Sequence, residues 1–418
     1  MNAVTAAEGS ARYAERMKRV MDAVELRQPD RVPTVFFSTF WTARYGGISY
    51  RQAMYDYQKM SELTKRAVLE FEPDLYTMPH QLTLMGPIMD ALGYKQLQWP
   101  GHGTDENTTY QYLDHEYMKA DEYDDYLLDP TGYFLSTYLP RVGEAFEGLA
   151  ELPIIPALYY IRLMVGIRPF ANPKVIESLA RIQKTAEEAN RLMLHSVEFA
   201  KEMASLGFPL SYAAGSIAPY DFFGDYMRGS KGIMLDMFRR KDKLLAAMER
   251  ACHFILKHAI QMAKASPCKF VQIPLHWGLD GFMSLEQFKI FYWPYLRRLM
   301  IGLIEADLIP MPLWEGDCTS RLETIADIPR GKAIYWFERT DLVKAKEVLG
   351  DIVCLRGNVP TSMMVTGSPD DVDAYCRRLI EQAGKGGGLI LDAACGIPDE
   401  SRPENVKAMF EAARKYNP

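Results

Sequence analysis

Short apolar runs alternate with amphipathic stretches along most of the chain. The apolar runs are the length of strands, and the stretches between them repeat their apolar positions at helical spacing. Strands that alternate with helices pair in parallel through crossover connections, and eight of them can close into a barrel. We therefore predict an α/β fold of the (β/α)8 TIM-barrel type. The predicted strands lie at 34–38, 74–78, 208–214, 269–275, 308–314, 333–338, 352–356 and 388–394.

The alternation is lost after the second predicted strand. Residues 79–205 are rich in Tyr, Asp and Pro, and the end of this stretch has the pattern of a long helix at 173–206. We interpret 79–205 as a cap inserted into the barrel. The whole chain, 1–418, is then predicted to be one domain with a large insertion.

The composition is that of a globular protein that interacts with a small molecule or another protein. Of the 418 residues, 48% are hydrophobic and 24% are charged, which is sufficient for a large core. The net charge is -6 and no basic cluster occurs, which argues against nucleic acid or an anionic membrane as a partner.

We predict a cytoplasmic protein. The first ten residues lack the basic and apolar regions of a secretory signal, and no apolar stretch approaches the roughly 18 residues that cross a bilayer. The six cysteines have no paired short spacings, so they are expected to be thiols and not a disulfide framework.

Three predicted strands end in side chains that can bind a metal. These residues are His276, Glu315 and Cys395, and their wide separation in the chain suits residues on different strands of one barrel. Zinc accepts imidazole nitrogen, carboxylate oxygen and thiolate sulfur, and a catalytic zinc keeps one position open. Taken singly, each residue is better explained as structural. Their shared position at strand ends favours a metal site.

Other polar residues are expected near the same strand ends. Asp317 is expected to be a catalytic group, a fourth ligand or a carboxylate that orients a histidine ligand, and the alternative is the cap of a helix from Thr319. Glu338 ends a predicted strand and is expected to act with Asp317 in catalysis. Asp392 lies on an apolar strand and needs a partner, for which Arg339 and Arg356 are available, and both Asp392 and Arg339 are expected to support the ligands from behind.

Aromatic residues cluster near the predicted strand ends, as a flat apolar substrate would require. Most aromatic residues at such positions are packing residues, so the alternative is a purely structural role. Asn358 is grouped with them, although it is also placed to brace a Gly-Asn turn. The candidates for substrate binding are Trp41, Tyr212, Trp277, Trp314, Trp336 and Asn358.

Three segments carry a resemblance to a known family. Residues 208–229, Leu355–Pro360 and Ala394–Asn405 resemble, in order and spacing, segments of the uroporphyrinogen decarboxylase superfamily. The resemblance implies a TIM barrel. It covers most of the chain outside the predicted insertion, and the superfamily contains metal-free decarboxylases and zinc-dependent methyltransferases that use corrinoids.

The residues differ from those of the true decarboxylases. These enzymes carry an Arg-Gln-Ala-Gly-Arg-Tyr motif after the first strand and an aspartate after the second. The corresponding segment Phe37–Tyr45 keeps one arginine, Arg44, and residues 76–80 contain no aspartate. A substrate with four carboxylates would lack its cationic partners.

The methyltransferase branch is more similar. Its members hold zinc with a His-x-Cys-Gly motif after the fifth strand and a cysteine near the end of the eighth. Leu313-Trp-Glu-Gly316 is similar to the first motif, with Glu315 in the cysteine position, and Cys395 matches the second. We infer that His276 replaces the missing imidazole. The resemblance implies zinc, and cobalamin carried by a partner corrinoid protein.

Three functions remain open. The first is methyl transfer between a small methylated substrate, an aryl methyl ether or thioether, and the corrinoid protein. The second is a metal-free decarboxylase or lyase for a smaller acid, using Arg44, Arg228 and Asp317. The third is a corrinoid-binding protein without catalysis. The oligomeric state is also open, and a homodimer is one alternative.

Overall fold

The computed structural model describes residues 5–81, 83–153 and 158–417. The strands within these ranges are β1 Val35–Phe36, β2 Leu75–Tyr76, β3 Leu97–Pro100, β4 Gly103–Thr104, β5 Gln111–Tyr112, β6 Ala214–Gly215, β7 Phe270–Leu275, β8 Ile309–Trp314, β9 Ile334–Phe337, β10 Cys354–Val359 and β11 Leu389–Ala393.

Helices separate most of these strands. The helices before β6 are α1 Ala6–Val24, α2 Trp41–Gly46, α3 Tyr50–Tyr55, α4 Tyr57–Phe71, α5 Gly86–Leu92, α6 Tyr123–Leu128, α7 Pro130–Tyr133, α8 Leu139–Val142, α9 Leu163–Ile167 and α10 Pro173–Ser205. The later helices are α11 Pro219–Asp221, α12 Gly229–Arg239, α13 Lys241–Ala263, α14 Leu285–Gln287, α15 Trp293–Glu305, α16 Leu322–Ile325, α17 Leu342–Leu349, α18 Thr361–Thr366, α19 Pro369–Ala383 and α20 Pro403–Lys415.

Short 3-10 and π-helical turns complete the helical structure. The 3-10 turns are Pro79–Gln81, Glu144–Glu151, Tyr160–Arg162, Arg168–Ala171 and Thr319–Arg321. The π-helical turns are Phe134–Tyr138, Phe222–Arg228 and Phe288–Tyr292. None of the helices in the described part of the chain is long and apolar enough to span a membrane.

The strands that hold the fold together are parallel. Six of them form one sheet in the order β11-β10-β9-β8-β7-β6, and β1 pairs with β2 in a second parallel sheet. Each of the eight predicted strand segments contains residues of one of these eight strands. The predicted α/β class with a parallel sheet is confirmed.

Backbone hydrogen bonds join the two parallel sheets at both edges. At one edge, Tyr76 N donates to Pro209 O at 3.1 Å and Ser211 N donates to Tyr76 O at 2.8 Å. At the other edge, Leu391 N donates to Pro33 O at 2.9 Å. The β1–β2 sheet therefore lies between β11 on one side and the segment 209–211, which precedes β6, on the other.

Both faces of the strands are buried. On β8, Leu313 belongs to an inner cluster with Tyr212 and Trp336, whereas the neighbouring Trp314 packs with the helices outside the sheet. Successive side chains point to opposite faces of a strand, so a strand covered on both faces is apolar throughout. Helix α1 contributes Val20 to this inner cluster and packs against it.

The stretch between β2 and β6 contains mostly helix and one small sheet. Strand β3 pairs with β4 and β5 in a three-stranded sheet of order β4-β3-β5. The long helix predicted at 173–206 is present as α10, whose 33 residues begin after Asn172, which caps Lys174 N through its side chain. That this stretch is an inserted cap remains a prediction.

Candidate functional site

The candidate site lies where the parallel strands end. His276 directly follows β7, Glu315 directly follows β8, and Glu338 directly follows β9. Cys395 lies two residues beyond β11. Because neighbouring parallel strands end at the same edge of the sheet, these residues share one rim, which is where α/β folds place their chemistry.

His276 lies between two carboxylates. Its Nδ1 is 2.6 Å from Asp225 Oδ2, and its Nε2 is 3.5 Å from Glu315 Oε1. Desolvation lowers the pKa of His276, but the hydrogen bonds with Asp225 and Glu315 outweigh it and raise the pKa to about 11. In this arrangement the imidazole is a cation at neutral pH, its Nδ1 donates to Asp225, and its Nε2 forms an ion pair with Glu315.

Asp225 holds two neighbouring side chains at once. Its Oδ2 faces His276, and its Oδ1 accepts a hydrogen bond from Trp277 Nε1 at 2.7 Å. Trp277 also packs on Phe282, with ring centroids 4.4 Å apart. The Trp277 ring is therefore fixed beside the histidine.

Asp221 fixes the backbone under the histidine. It is fully buried, and its Oδ2 accepts hydrogen bonds from the Tyr292 hydroxyl at 2.6 Å and from the His276 backbone N at 3.2 Å. Burial raises the pKa of Asp221, and the negative charge of Asp225 raises it further. Two carboxylates thus stand behind one imidazole.

Sequence reasoning missed Asp221 and Asp225 as site residues. They are four residues apart, and Asp225 lies on the π-helical turn Phe222–Arg228. Side chains at this spacing lie on the same face of a helix. The available signal was the Asp-Phe-Phe-Gly-Asp pattern within 208–229, where two carboxylates stand among apolar residues.

Glu338 braces the turn that carries Glu315. Glu338 Oε2 accepts a hydrogen bond from Gly316 N at 2.5 Å, and Glu338 N donates to Trp314 O at 3.1 Å. Gly316 has φ of +87°, a conformation that a residue with a Cβ rarely adopts. Glu338, predicted to be catalytic, therefore has a positioning contact at the rim.

Cys395 is exposed at the same rim. Although part of this residue is exposed, the protein around the thiol desolvates it and raises its pKa; the negative charges of Glu315 and Glu338 raise the pKa further, while Arg339 opposes them. The sulfur therefore stays protonated at neutral pH unless a cation binds beside it.

Two of the three predicted metal ligands have a spacing that suits a shared ion. Two donors bound tetrahedrally to zinc lie about 3.4 Å apart, and the His276 and Glu315 donor atoms are separated by 3.5 Å. The contact from Asp225 to the second ring nitrogen is the usual support of a zinc-bound histidine. No three His, Cys, Asp or Glu side chains within the described ranges stand close enough together to hold an ion. Cys395 is therefore near this pair but outside ligand range.

Asp317 and Arg339 lie at the edge of the rim. Asp317 Oδ1 accepts hydrogen bonds from the backbone N and the hydroxyl of Thr319, at 2.9 and 2.6 Å, but the N-cap position of the turn Thr319–Arg321 is Cys318 and not Asp317. Arg339 is 75% exposed and lies 3.9 Å from Glu338. Neither residue supports His276 from behind.

Asp392 is paired inside the fold. Its Oδ2 accepts hydrogen bonds from Arg356 Nε and Nη2 at 2.9 and 2.7 Å, so Arg356 and not Arg339 is its partner. The Arg356 guanidinium lies 3.7 Å above the Trp336 ring. Burial raises the pKa of Asp392 to about 6, although Arg356 opposes this shift.

Of the predicted substrate-binding residues, only Trp277 borders the histidine. Four of the others are core residues in this structure, because neighbouring rings and helices cover them: Trp41, Tyr212, Trp314 and Trp336. Asn358 lies within β10, is also buried and donates to Thr340 O at 2.7 Å, so its contact is with the segment after β9 and not with a Gly-Asn turn. These five residues are not part of the proposed site.

The two arginines that were considered for a metal-free enzyme do not contact the histidine or the glutamate of the rim. Arg228 is buried, and its Nε donates to Asp236 Oδ2 at 2.6 Å. Arg44 is exposed on α2. Neither side chain is in hydrogen-bond contact with the rim residues His276 or Glu315.

Comparison with known proteins identifies relatives over much of the chain. The family described as Uroporphyrinogen decarboxylase (URO-D) matches residues 165–416. A uroporphyrinogen decarboxylase from Pseudomonas fluorescens is 26% identical over 191 residues, which are 43% of this chain and 52% of that protein. One from Chromohalobacter salexigens is 25% identical over 224 residues, 53% of this chain and 62% of that protein. The chain thus spans between half and two thirds of these relatives.

A solved structure shares the whole fold. A methyltransferase from Methanosarcina mazei aligns with a TM-score of 0.62 and 18% identity, and the alignment covers 96% of this chain and 98% of that one. At this identity the similarity concerns the fold. It includes the stretch between β2 and β6, which the family match leaves largely uncovered.

Proposed function

The chain belongs to the uroporphyrinogen decarboxylase (URO-D) family, and from this premise we propose that it is a zinc-dependent methyltransferase. The methyl group would move between a small substrate and the cobalamin of a separate corrinoid protein. The observation that carries the proposal is the contact of His276 Nε2 with Glu315 Oε1 at the ends of β7 and β8. These two side chains would hold the metal ion.

The proposal includes a closed barrel. Hydrogen bonds from Tyr76 to Pro209 and from Leu391 to Pro33 link the edges of the two parallel sheets, so the eight strands would form one ring. Residues at their C-terminal ends would then surround a single mouth. That mouth would be the place where substrate and corrinoid protein meet.

The chain supplies three donors for zinc. His276 and Glu315, whose donor atoms face each other, would hold the zinc, and Cys395 at the same rim would be the third ligand. Bound zinc would act as a Lewis acid on the heteroatom that carries the methyl group and make it a better leaving group.

The surrounding residues prepare His276 for this role. Asp225 keeps the proton on Nδ1, so Nε2 is the atom left for a cation. Asp221 holds the His276 backbone, and Glu338 holds the turn next to Glu315. The half-buried Trp277 ring, fixed by Asp225, would form one wall against an apolar substrate.

The substrate class follows from what the rim contains. Arg44 and Arg228, the arginines considered for binding acids, have no hydrogen-bond contact with His276 or Glu315, whereas an indole ring and a thiol lie close by. A methylated aromatic ether or thioether suits such a rim better than a polycarboxylate. The methyltransferase from Methanosarcina mazei has a similar fold, and we infer methyl transfer for this chain. We also infer a cytoplasmic location.

Metal analysis tests the proposal directly. We expect about one zinc per chain after purification in zinc-supplemented medium, and loss of it in His276→Ala, Glu315→Ala and Cys395→Ala. Glu286→Ala is a matched control, because Glu286 is an exposed carboxylate on α14. Wild-type content in all three site variants would refute the proposed site.

An activity measurement complements the metal analysis. Free cob(I)alamin should lose its absorbance when methoxylated or methylthio compounds are added to the zinc-loaded protein, and should keep it with Cys395→Ala. A protein that binds zinc and cobalamin without this loss would be the binding protein that lacks catalysis.

A metal-free decarboxylase or lyase is the second candidate. The observation in its favour is the imidazolium of His276, held as a cation between Asp225 and Glu315, because a fixed positive charge at the rim could bind a substrate carboxylate. The family relatives are decarboxylases. This candidate predicts that a chelator leaves activity on a carboxylated substrate unchanged, whereas the methyltransferase would lose its activity.

A further inference from the structure

A cavity lined by arginines lies at the opposite end of the strands from the candidate site. Its volume is about 170 Å³. Helix α1 provides most of the lining, and α20 and the segments before β1 and β2 provide the rest. The lining residues are Arg12, Glu15, Arg16, Arg19, Arg31, Glu72 and Arg414.

Two of the five arginines are fully paired. Arg31 donates to both oxygens of the buried Asp74, at 2.8 and 2.9 Å. Arg19 donates to Asp74 at 2.6 Å and also pairs with Asp30 and Glu15. These contacts attach α1 to the segments before β1 and β2. Both carboxylate oxygens of Asp74 accept hydrogen bonds from Arg19 and Arg31.

The other three arginines form no ion pair with any residue of the described ranges. Arg16 is buried and donates to Gly207 O at 2.6 Å, with its guanidinium 4.0 Å above the Phe208 ring. Arg414 donates to the carbonyl groups of Phe71 and Glu72. Arg12 is exposed at the entrance. Three guanidinium groups thus line one cavity without a direct ion pair, although Glu15 and Glu72 line the same cavity.

The electrostatics of Arg16 agree with a missing anion. Desolvation lowers the pKa of Arg16, the charges of Arg12 and Arg31 lower it further, and Asp74 and Glu72 oppose the shift. A buried cation without a direct ion pair is costly, and a bound anion would offset part of that cost.

We propose that this cavity binds a phosphoryl anion through Arg12, Arg16 and Arg414, either inorganic phosphate or the phosphate group of a small molecule. The planar guanidinium group presents paired N–H donors that match phosphate oxygens. The cavity volume of about 170 Å³ is large enough for a phosphate group.

Binding there would join elements that are distant in sequence. Arg12 and Arg16 lie on α1 and Arg414 lies on α20, so one anion would connect the first and last helices beneath the strands. A ligand that binds only the folded protein raises its stability. Phosphate should therefore raise the melting temperature of the full chain, independently of any metal or substrate.

Isothermal titration calorimetry with inorganic phosphate tests this site, at an ionic strength held constant with chloride. We expect saturable one-site binding to the full chain, about tenfold weaker in Arg12→Gln and in Arg414→Gln. Arg239→Gln is the matched control, because Arg239 is exposed at the end of α12 and distant from the cavity lining. Its affinity should equal that of the wild type.

Two outcomes would overturn the proposal. One is the absence of saturable binding at about 10 mM phosphate, a concentration that detects even weak complexes. The other is equal affinity in Arg12→Gln, Arg414→Gln and Arg239→Gln. A parallel titration with glucose 6-phosphate distinguishes the sources: tighter binding than phosphate assigns the site to a phosphorylated small molecule, and weaker binding assigns it to inorganic phosphate.

Discussion

Asp225 Oδ2 lies 2.6 Å from His276 Nδ1, and this contact determines how the imidazole meets the rim. With the Nδ1 proton held by a carboxylate, Nε2 is the nitrogen that faces Glu315. The same carboxylate accepts the Trp277 N–H. One aspartate therefore orients both the histidine and the ring beside it.

Asp225→Asn should weaken zinc binding while the protein stays folded. The amide retains an oxygen for one hydrogen bond but loses the charge that supports the imidazole, and such a change costs about 10- to 100-fold in metal affinity. Competition with a chromophoric chelator measures the affinity. Asp114→Asn, at an exposed carboxylate, is the control and should bind zinc like the wild type.

The same variant gives a readout that does not involve zinc. The hydrogen bond with Asp225 is the largest contribution that raises the pKa of His276, so in the metal-free protein this pKa should fall in Asp225→Asn. NMR titration of the histidine ring measures it. An unchanged pKa would show that Asp225 does not support the imidazolium.

Removal and conservative replacement of Glu338 should have different effects. Glu338→Ala removes the acceptor for Gly316 N, frees the turn after β8 and should lower the zinc affinity contributed by Glu315. Glu338→Gln keeps an oxygen at that position and should largely restore the affinity. Chelator competition on both variants measures the effect. If Glu338→Gln is as weak as Glu338→Ala, the charge and not the hydrogen bond is what matters.

The sequence was sufficient to locate the strands but not the directions of their side chains. Strands buried on both faces, such as β8, are apolar at every position, so they are visible as runs. Because every position is apolar, the sequence does not show which side chains point to which face of the strand. Nothing in Leu313-Trp314 indicates which residue faces the inner cluster, and Trp314 was predicted at the substrate although it packs outside the sheet.

The rim residues were predictable for a different reason. His276 and Glu315 are polar residues that end apolar runs, and neighbouring parallel strands end together, so their proximity follows from the strand pattern. Asp225 lies on a π-helical turn far away in sequence, and its contact with His276 depends on how that turn packs. Local sequence patterns do not contain that information.

The buried pair of Arg356 and Asp392 should show strong coupling. Removing one partner leaves a charge in the inner cluster without its counterion, which costs about 3–5 kcal/mol, so Arg356→Leu and Asp392→Leu should each destabilise the fold strongly. The double variant should cost much less than the sum of the two. Urea unfolding of the wild type, the two single variants and the double variant gives the four free energies of unfolding that a double-mutant cycle needs. Additive losses would mean that the pair contributes nothing beyond its separate contacts.

Glu122 should make stability depend on acid pH. Arg141 donates to both of its oxygens, at 2.8 and 2.7 Å, and this hydrogen bonding lowers the pKa of Glu122 from 4.5 to about 2. The folded protein then binds fewer protons than the unfolded chain between these values. The stabilisation is present above pH 4.5 and is lost as the pH falls toward 2.

Comparison of the wild type with Glu122→Gln isolates this contribution from other acid effects. The wild type should be more stable by about 1–2 kcal/mol near neutral pH, allowing for solvent screening of a partly exposed pair. The difference should shrink as the pH falls from 4.5 toward 2. Urea unfolding across this range measures it, and Glu323→Gln, at an exposed glutamate on α16, should show no such trend. A difference that stays constant with pH would mean that the amide disturbs packing around Tyr133, whose hydroxyl donates to Glu122, instead of removing a charge.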